Sequence, residues 1–262
     1  MELREAIGRR RSIRFLLPHR PVEPEKIQRM LEAARRASHW GNVQSLKAVV
    51  MFRDSAPDDV REAVTAPIAG FQIQLAPVVI VWYIDTAMVD EQSERLRELG
   101  RAGALGYGEG KQEAVENQLI PIFDNMLEGL KQPGVGEVDC GQGIAQATLM
   151  AYEQGLGTCC LGTPFTEKIR DKLGLPETAR VLLLQTVGYP AETWEAGGQR
   201  PRQPFERLFH MNGYGKPFPQ SPEVVEELKR DGMIQQEAPL PWRDAELDYL
   251  KQALGLKGHG LV

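Results

Sequence analysis

The run Pro77-Val78-Val79-Ile80-Val81-Trp82-Tyr83-Ile84 carries no charge over eight positions. Successive side chains of a strand point to opposite faces, so a strand without a polar face has to be covered on both. This run therefore predicts a central strand buried between two layers. Ala48-Val49-Val50-Met51-Phe52, Thr158-Cys159-Cys160-Leu161-Gly162 and the Val- and Leu-rich stretch Arg180 to Val187 read as three more strands.

Helical patterns fill the intervals. A short helix is expected around Leu3 and Ile7. A longer one runs from Glu23-Pro24 to Ala37, because Pro24 suits a first helical position and Ile27, Met30, Leu31 and Ala34 recur at helical spacing. Glu91 to Arg101 reads as a charged helix, followed by glycines 103, 106, 108 and 110 as a mobile connection. Ala114 to Leu130 is helical with Pro121 kinking or dividing it. Gly141 to Gln154 is apolar and rich in small residues, which suits a core helix or a subunit interface. Thr163-Pro164 opens a further helix by N-cap logic. Strands alternating with helices point to an α+β or an α/β sandwich.

The last fifty or so residues hold Pro217, Pro219, Pro222, Pro239 and Pro241, with short charged helices near Val224–Leu228 and Ala245–Leu254. They read as an arm laid over the rest. The net charge of -5 argues against general nucleic-acid binding, which shows a basic excess over a whole face. Met1-Glu2-Leu3-Arg4-Glu5 does not open like a signal peptide, and no stretch approaches the roughly 20 apolar residues of a membrane helix. A cytoplasmic protein is the expectation.

Cys140, Cys159 and Cys160 read as reduced thiols, and with His19, His39, His210 and His259 scattered, no zinc spacing is present, so no metal is expected. Dinucleotide and phosphate-loop glycine motifs and the Gly-x-Ser-x-Gly elbow are also lacking. What remains is basic. Arg9-Arg10-Arg11-Ser12-Ile13-Arg14 places four arginines and a hydroxyl within six residues, and Arg200 and Arg202 form a second cluster far along the chain. Guanidinium groups donate in a planar fork suited to phosphate, so two clusters suggest one anion.

The segments Arg10-Arg11-Ser12-Ile13-Arg14-Phe15, Leu31-Glu32-Ala33-Ala34-Arg35 and Gly41-Asn42-Val43-Gln44 together resemble the opening of the FMN-dependent nitroreductase superfamily. Gly155-Leu156-Gly157-Thr158-Cys159-Cys160-Leu161-Gly162, Leu173-Gly174-Leu175-Pro176, Val187-Gly188-Tyr189-Pro190 and Arg200-Pro201-Arg202 are similar to its later half, in the same order. The resemblance implies an α+β three-layer sandwich, a mixed and mainly antiparallel sheet flanked by helices, in an entwined homodimer. It further implies an FMN-binding unit over 1–215, with a lid or insertion at about 86–135, and an arm over 216–262 that is not an independent domain.

By position, the resemblance gives Arg10, Arg11, Ser12 and Arg14 to the phosphate, ribityl chain and pyrimidine edge of FMN, and Arg200 and Arg202 to the phosphate. Cys160, Leu161 and Gly162 would lie over the ring, with a backbone amide near flavin N5. Ser38, His39, Trp40, Asn42 and Gln44 would reach the flavin from the partner subunit. Trp40, Gly41 and Phe123 would line the substrate pocket, and no side chain is required as a catalytic acid or base. NAD(P)H would reduce the flavin, and a nitroaromatic, quinone or other conjugated acceptor would reoxidise it. Reductive dehalogenation, dehydrogenation and simple FMN storage remain as alternatives.

Some positions depart from the family pattern. Ser38-His39-Trp40 stands where many members have Pro-Ser and a small residue, so Trp40 is either a substrate platform or an interface aromatic. His39 reads as a hydrogen-bonded structural residue. Gln72 or Gln74 is the nearest counterpart of residues that approach the flavin elsewhere. Cys159 and Cys160 read as small packing residues in a buried strand.

Overall fold

The computed structural model describes residues 2–261; Met1 and Val262, at the outer limits of the two expected units, lie outside the described residues. Strands β1 (Leu46–Phe52), β2 (Val78–Asp85), β3 (Gly157–Leu161) and β4 (Ala179–Gly188) form a sheet in the order β1-β2-β4-β3. Every neighbouring pair is antiparallel, and an isolated parallel bridge joins Ser12 to Thr158. The fold is α+β, with a mixed, mainly antiparallel sheet.

β2 lies inside the sheet, as its sequence requires. Val79 and Val81 enter one core with Ile13, Leu16, Ile73, Ile169 and Leu184. Val78, Ile80 and Trp82 enter a second with Ile27, Met30, Ile144, Ala147 and Val187. Alternate residues of one strand thus fill two cores on opposite faces, which makes three layers. Each large aliphatic side chain fully buried in this way contributes about 1.5–3 kcal/mol.

The helices are α1 (Leu3–Arg9), α2 (Pro24–Arg35), α3 (Asp58–Ala63), α4 (Phe71–Leu75), α5 (Gln92–Arg101), α6 (Lys111–Ala114), α7 (Ile120–Leu130), α8 (Val135–Glu153), α9 (Thr166–Lys172), α10 (Phe205–Leu208), α11 (Pro222–Arg230) and α12 (Arg243–Ala253). α2 and α8 cover the second core. They approach closely because Gly143 has no side chain: a Cβ there would stand 2.4 Å from Leu46 Cδ2 and 3.1 Å from the Ala34 carbonyl oxygen. The opposite face of α8 carries exposed Val135, Val138, Gly141 and Ala145.

Two expected boundaries moved, and an expected division was found, each for a local reason. α8 begins at Val135, not Gly141, because the Glu137 carboxylate accepts the Gly134 N–H at 2.7 Å and closes a first turn earlier in the chain. Thr163 does not cap a helix. Its hydroxyl donates to the Thr65 carbonyl at 2.9 Å and accepts the Phe165 N–H at 3.2 Å, so a turn intervenes and α9 starts at Thr166. Pro121 divides its helix: the chain widens into a π turn over Val115–Leu119, and α7 follows with the proline in its first turn, where no N–H is needed.

The segment around α5 to α7 has a small core of its own, Leu96, Val115 and Ile120, with Phe123 against it. The C-terminal segment folds back: Leu250 of α12 is buried with Phe15 and Leu75, and Arg4 of α1 pairs with Glu227 and Asp231. Among the described residues, no helix is long and apolar enough to cross a membrane.

Candidate active site

The arginine-rich segment after α1 is laced to the sheet. The Ile13 N–H donates to the Thr158 carbonyl at 2.9 Å, the Leu17 N–H to the Tyr189 carbonyl at 2.9 Å, and the Ala191 N–H to the Phe15 carbonyl at 2.8 Å. Glu192, 5% exposed, accepts the backbone N–H groups of Arg14 and Phe15 with one carboxylate oxygen. Arg243 of α12 lies 2.8 Å from the other oxygen and offsets the buried charge. The positions of Ser12 and Arg14 are therefore set by backbone bonds on both sides. Glu192 and Arg243 were not singled out in the sequence, because neither belongs to a cluster of like basic residues.

Arg11 is 7% exposed and turned inward. Its guanidinium donates to the carbonyls of Gly8 and Arg10 and to Gln235 Oε1 at 2.5 Å, while its Nε is buried with no partner. Among the described residues no carboxylate pairs with it. Burial, and after it the charges of Arg10 and Arg200, hold its pKa below the usual arginine value. Arg200 is lowered in the same way, by burial and then by Arg14 and Arg243. Arg10, Arg11, Arg14 and Arg200 thus come together and repel one another, whereas Arg202 is left exposed. A buried cation without a counter-ion is costly, and an anion brought to it lowers that cost.

A cavity of about 470 Å³ opens beside this cluster, lined by Arg10, Ser12, Thr158 and Cys160 on one side and by Ile144, Ala145, Thr148 and Leu149 of α8 on the other. Its size and mixed lining suit a small ligand. The two adjacent cysteines point to opposite faces of β3. Cys159 is buried, as expected, but Cys160 is exposed at the cavity, because β3 is an edge strand whose outer end has no layer over it. Leu161 packs against the first core and Gly162 is exposed.

The segment 38–44 lies elsewhere. Ser38 is exposed, the Trp40 N–H donates to Asp139 Oδ2 at 2.8 Å, and the indole stacks on Phe123 with ring centroids 5.6 Å apart. Gly41, Asn42 and Gln44 have φ of 52°, 55° and 56°, a left-handed turn strained at the two non-glycines. Asp139 holds this turn near the start of α8, and the cavity is bordered by α8 residues from Gly141 to Leu149, yet none of residues 38–44 lines it. Within one chain the turn does not close over the arginines.

His39 does not find the hydrogen bond expected of it: its Nδ1 is buried without a partner. The ring faces a cavity whose apolar wall is Leu31, Ala34, Leu46 and Trp82, where few acceptors are present. Burial lowers its pKa, only partly opposed by Asp139. Gln72 is buried in α4, and Gln74 borders a different cavity with Met51 and Arg53, so neither reaches the arginine cluster. α4 turns Ile73 into the first core and leaves Gln74 exposed.

Residues 7–189 match the family model described as Nitroreductase family. A Thermus thermophilus NADH dehydrogenase is 31% identical over 209 residues, which span 79% of this chain and 95% of that protein. An NADPH-dependent oxidoreductase of Staphylococcus aureus is 25% identical over 75% of this chain and 68% of its own length. A nitroreductase family protein from Streptococcus pneumoniae superposes with a TM-score of 0.60 at 23% identity, over 80% of this chain and all of that one. A protein from Exiguobacterium sibiricum, described as a nitroreductase and solved in complex with FMN, gives a TM-score of 0.63 at 21% identity, over 81% and 98%.

Proposed function

The chain belongs to the nitroreductase family, and on that premise we propose that it is an FMN-dependent oxidoreductase that carries reducing equivalents from NADH or NADPH to a conjugated acceptor such as a nitroaromatic or a quinone. The observation that carries this reading is Arg11, a buried guanidinium with an unpartnered Nε, among three further arginines that have come together from both ends of the chain. That arrangement fits the phosphate of FMN. The names of the Thermus and Staphylococcus relatives support the nicotinamide donor, and the FMN complex of the Exiguobacterium protein supports the cofactor.

Arg10, Arg11, Ser12 and Arg200 would hold the phosphate and ribityl chain, with Arg202 approaching from the surface. Arg14 would stand at the pyrimidine edge, where a fixed positive charge favours negative charge on the ring. Cys160, Leu161 and Gly162 would border the ring itself. FMN bound there would supply the hydride chemistry. The protein's part is to hold, orient and cover.

Ser38, His39, Trp40, Asn42 and Gln44 complete the site from a partner subunit in this reading, since within one chain none of them lines the arginine cavity. The exposed apolar stripe on α8, Val135, Val138 and Ala145, supports a homodimer interface on that face of the helix. The unit 1–215 carries the cofactor, 86–135 forms a lid bearing Phe123, and 216–262 is an arm.

The test is an absorbance spectrum and a sedimentation run on purified protein. A yellow homodimer with one FMN per subunit, bleached by NADH or NADPH without oxygen, is expected. A colourless protein that FMN does not reconstitute would sink the cofactor reading, and a strict monomer at micromolar concentration would sink the shared site.

A further inference from the structure

Gln235 lies in the C-terminal arm, beyond residues 7–189 that match the family model. It is nonetheless built into the arginine cluster. The arm's Gly232–Met233 backbone rests directly on Gly8, where a Cβ would stand 2.3 Å from the Gly232 oxygen. Gln199 bridges the two, donating to the Met233 carbonyl at 2.9 Å and accepting the Gln235 N–H at 2.9 Å. The Gln235 amide nitrogen donates to the Gly232 carbonyl at 3.1 Å, which leaves its Oε1 to face Arg11 Nη2 at 2.5 Å.

We propose that Gln235 is a positioning residue for the cofactor phosphate, aiming Arg11 with a neutral acceptor and so leaving the guanidinium charge uncompensated for the anion. This rests on the FMN reading above. The other acceptors of Arg11, the Gly8 and Arg10 carbonyls, are neutral as well. The arm has carboxylates at hand and uses them elsewhere: the same stretch gives Glu227 and Asp231 to the exposed Arg4. A carboxylate at 235 would hold Arg11 more strongly but would neutralise it, and the phosphate would then compete with a built-in anion. An amide orients the group without that competition.

The test compares FMN with riboflavin, which lacks the phosphate, on the full-length protein. Gln235→Glu should raise the thermal midpoint of the apoprotein, because a buried cation gains a counter-ion, while FMN affinity falls about tenfold and riboflavin affinity changes less than about twofold. Gln235→Leu, which removes the acceptor, should weaken FMN without stabilising the apoprotein. On an Arg11→Gln background the effect of Gln235→Glu on FMN should vanish, since the two act as one unit.

In Gln235→Glu a merely structural role would move stability and FMN affinity in the same direction, and that result overturns the proposal. So does an unchanged preference for FMN over riboflavin in Gln235→Glu, or an effect that persists without Arg11. A wild-type protein that binds neither ligand defeats the FMN reading and the proposal with it. Tight FMN binding by the wild type, with no change in the variants, defeats the proposal alone.

Discussion

The Trp40 indole and the Phe123 ring stack with centroids 5.6 Å apart and planes at 20°, tying the left-handed turn at 41–44 to α7 of the insertion. A turn strained at two non-glycine residues needs such outside support. If this pair forms the roof of the acceptor pocket, Trp40→Ala should reorder a panel of quinones and nitroaromatics by about threefold or more in kcat/KM, with flavin content and reduction by NAD(P)H nearly unchanged. Steady-state kinetics checks it. A uniform fall accompanied by loss of FMN would mean that the stack only supports the turn.

Arg200 and Arg202 were one cluster in the sequence and part company in the fold. Arg200→Ala should cost FMN about 1.5–3 kcal/mol, the range of a hydrogen bond to a charged group, and riboflavin far less. Arg202→Ala, on an exposed side chain, should cost less than Arg200→Ala. Titration of the apoprotein with both ligands decides, and equal losses for FMN and riboflavin in Arg200→Ala would remove Arg200 from the phosphate.

His39 has its pKa lowered by burial. Its unfolded form therefore takes up a proton at a higher pH than the folded form. The stability tied to the neutral ring is fully present above the unfolded value near pH 6.5 and is lost as pH falls from there through the lower folded value. His39→Gln should flatten the acid side of a plot of thermal midpoint against pH, below about pH 6.5. A variant as acid-sensitive as the wild type would show that the ring's protonation does not couple to folding.

The three thiols should differ in reactivity. Burial raises all three thiols, Cys140 to about 12 and Cys160 to about 11, but only the Cys160 side chain is exposed, at the cavity, so accessibility sets the order. Brief N-ethylmaleimide treatment of the native protein should label Cys160 first, and bound FMN should slow that labelling, as read by peptide mass spectrometry. Equal labelling of Cys140 would contradict the buried placement of α8.

The β2 run, the helical spacing of Ile27, Met30 and Ala34, and the arginine-rich segment were legible because each is a local pattern. An uninterrupted apolar strand must be covered twice, and neighbouring arginines share their chemistry wherever they fold. α8 was legible except for its start, where Gly134 and Glu137 close a turn that apolar periodicity does not register. Thr163 carries a cap's side chain, but its hydroxyl accepts the Phe165 N–H within a turn, and the helix starts only at Thr166.

The sequence by itself determined the layers, the central strand and the chemical type of the ligand, since burial pattern and charge density are properties of short stretches. Only the tertiary structure decided which arginines meet. Arg200 joins the cluster and Arg202 does not, because the Arg200 guanidinium is held against the Ala196 carbonyl at 3.0 Å while Arg202 is exposed. It also decided that Glu192, Gln235 and Arg243 hold the cluster in place. Their partners lie across the chain in Arg11, Arg14 and Phe15, and a hydrogen bond between residues so far apart leaves no periodicity or motif for a sequence to display.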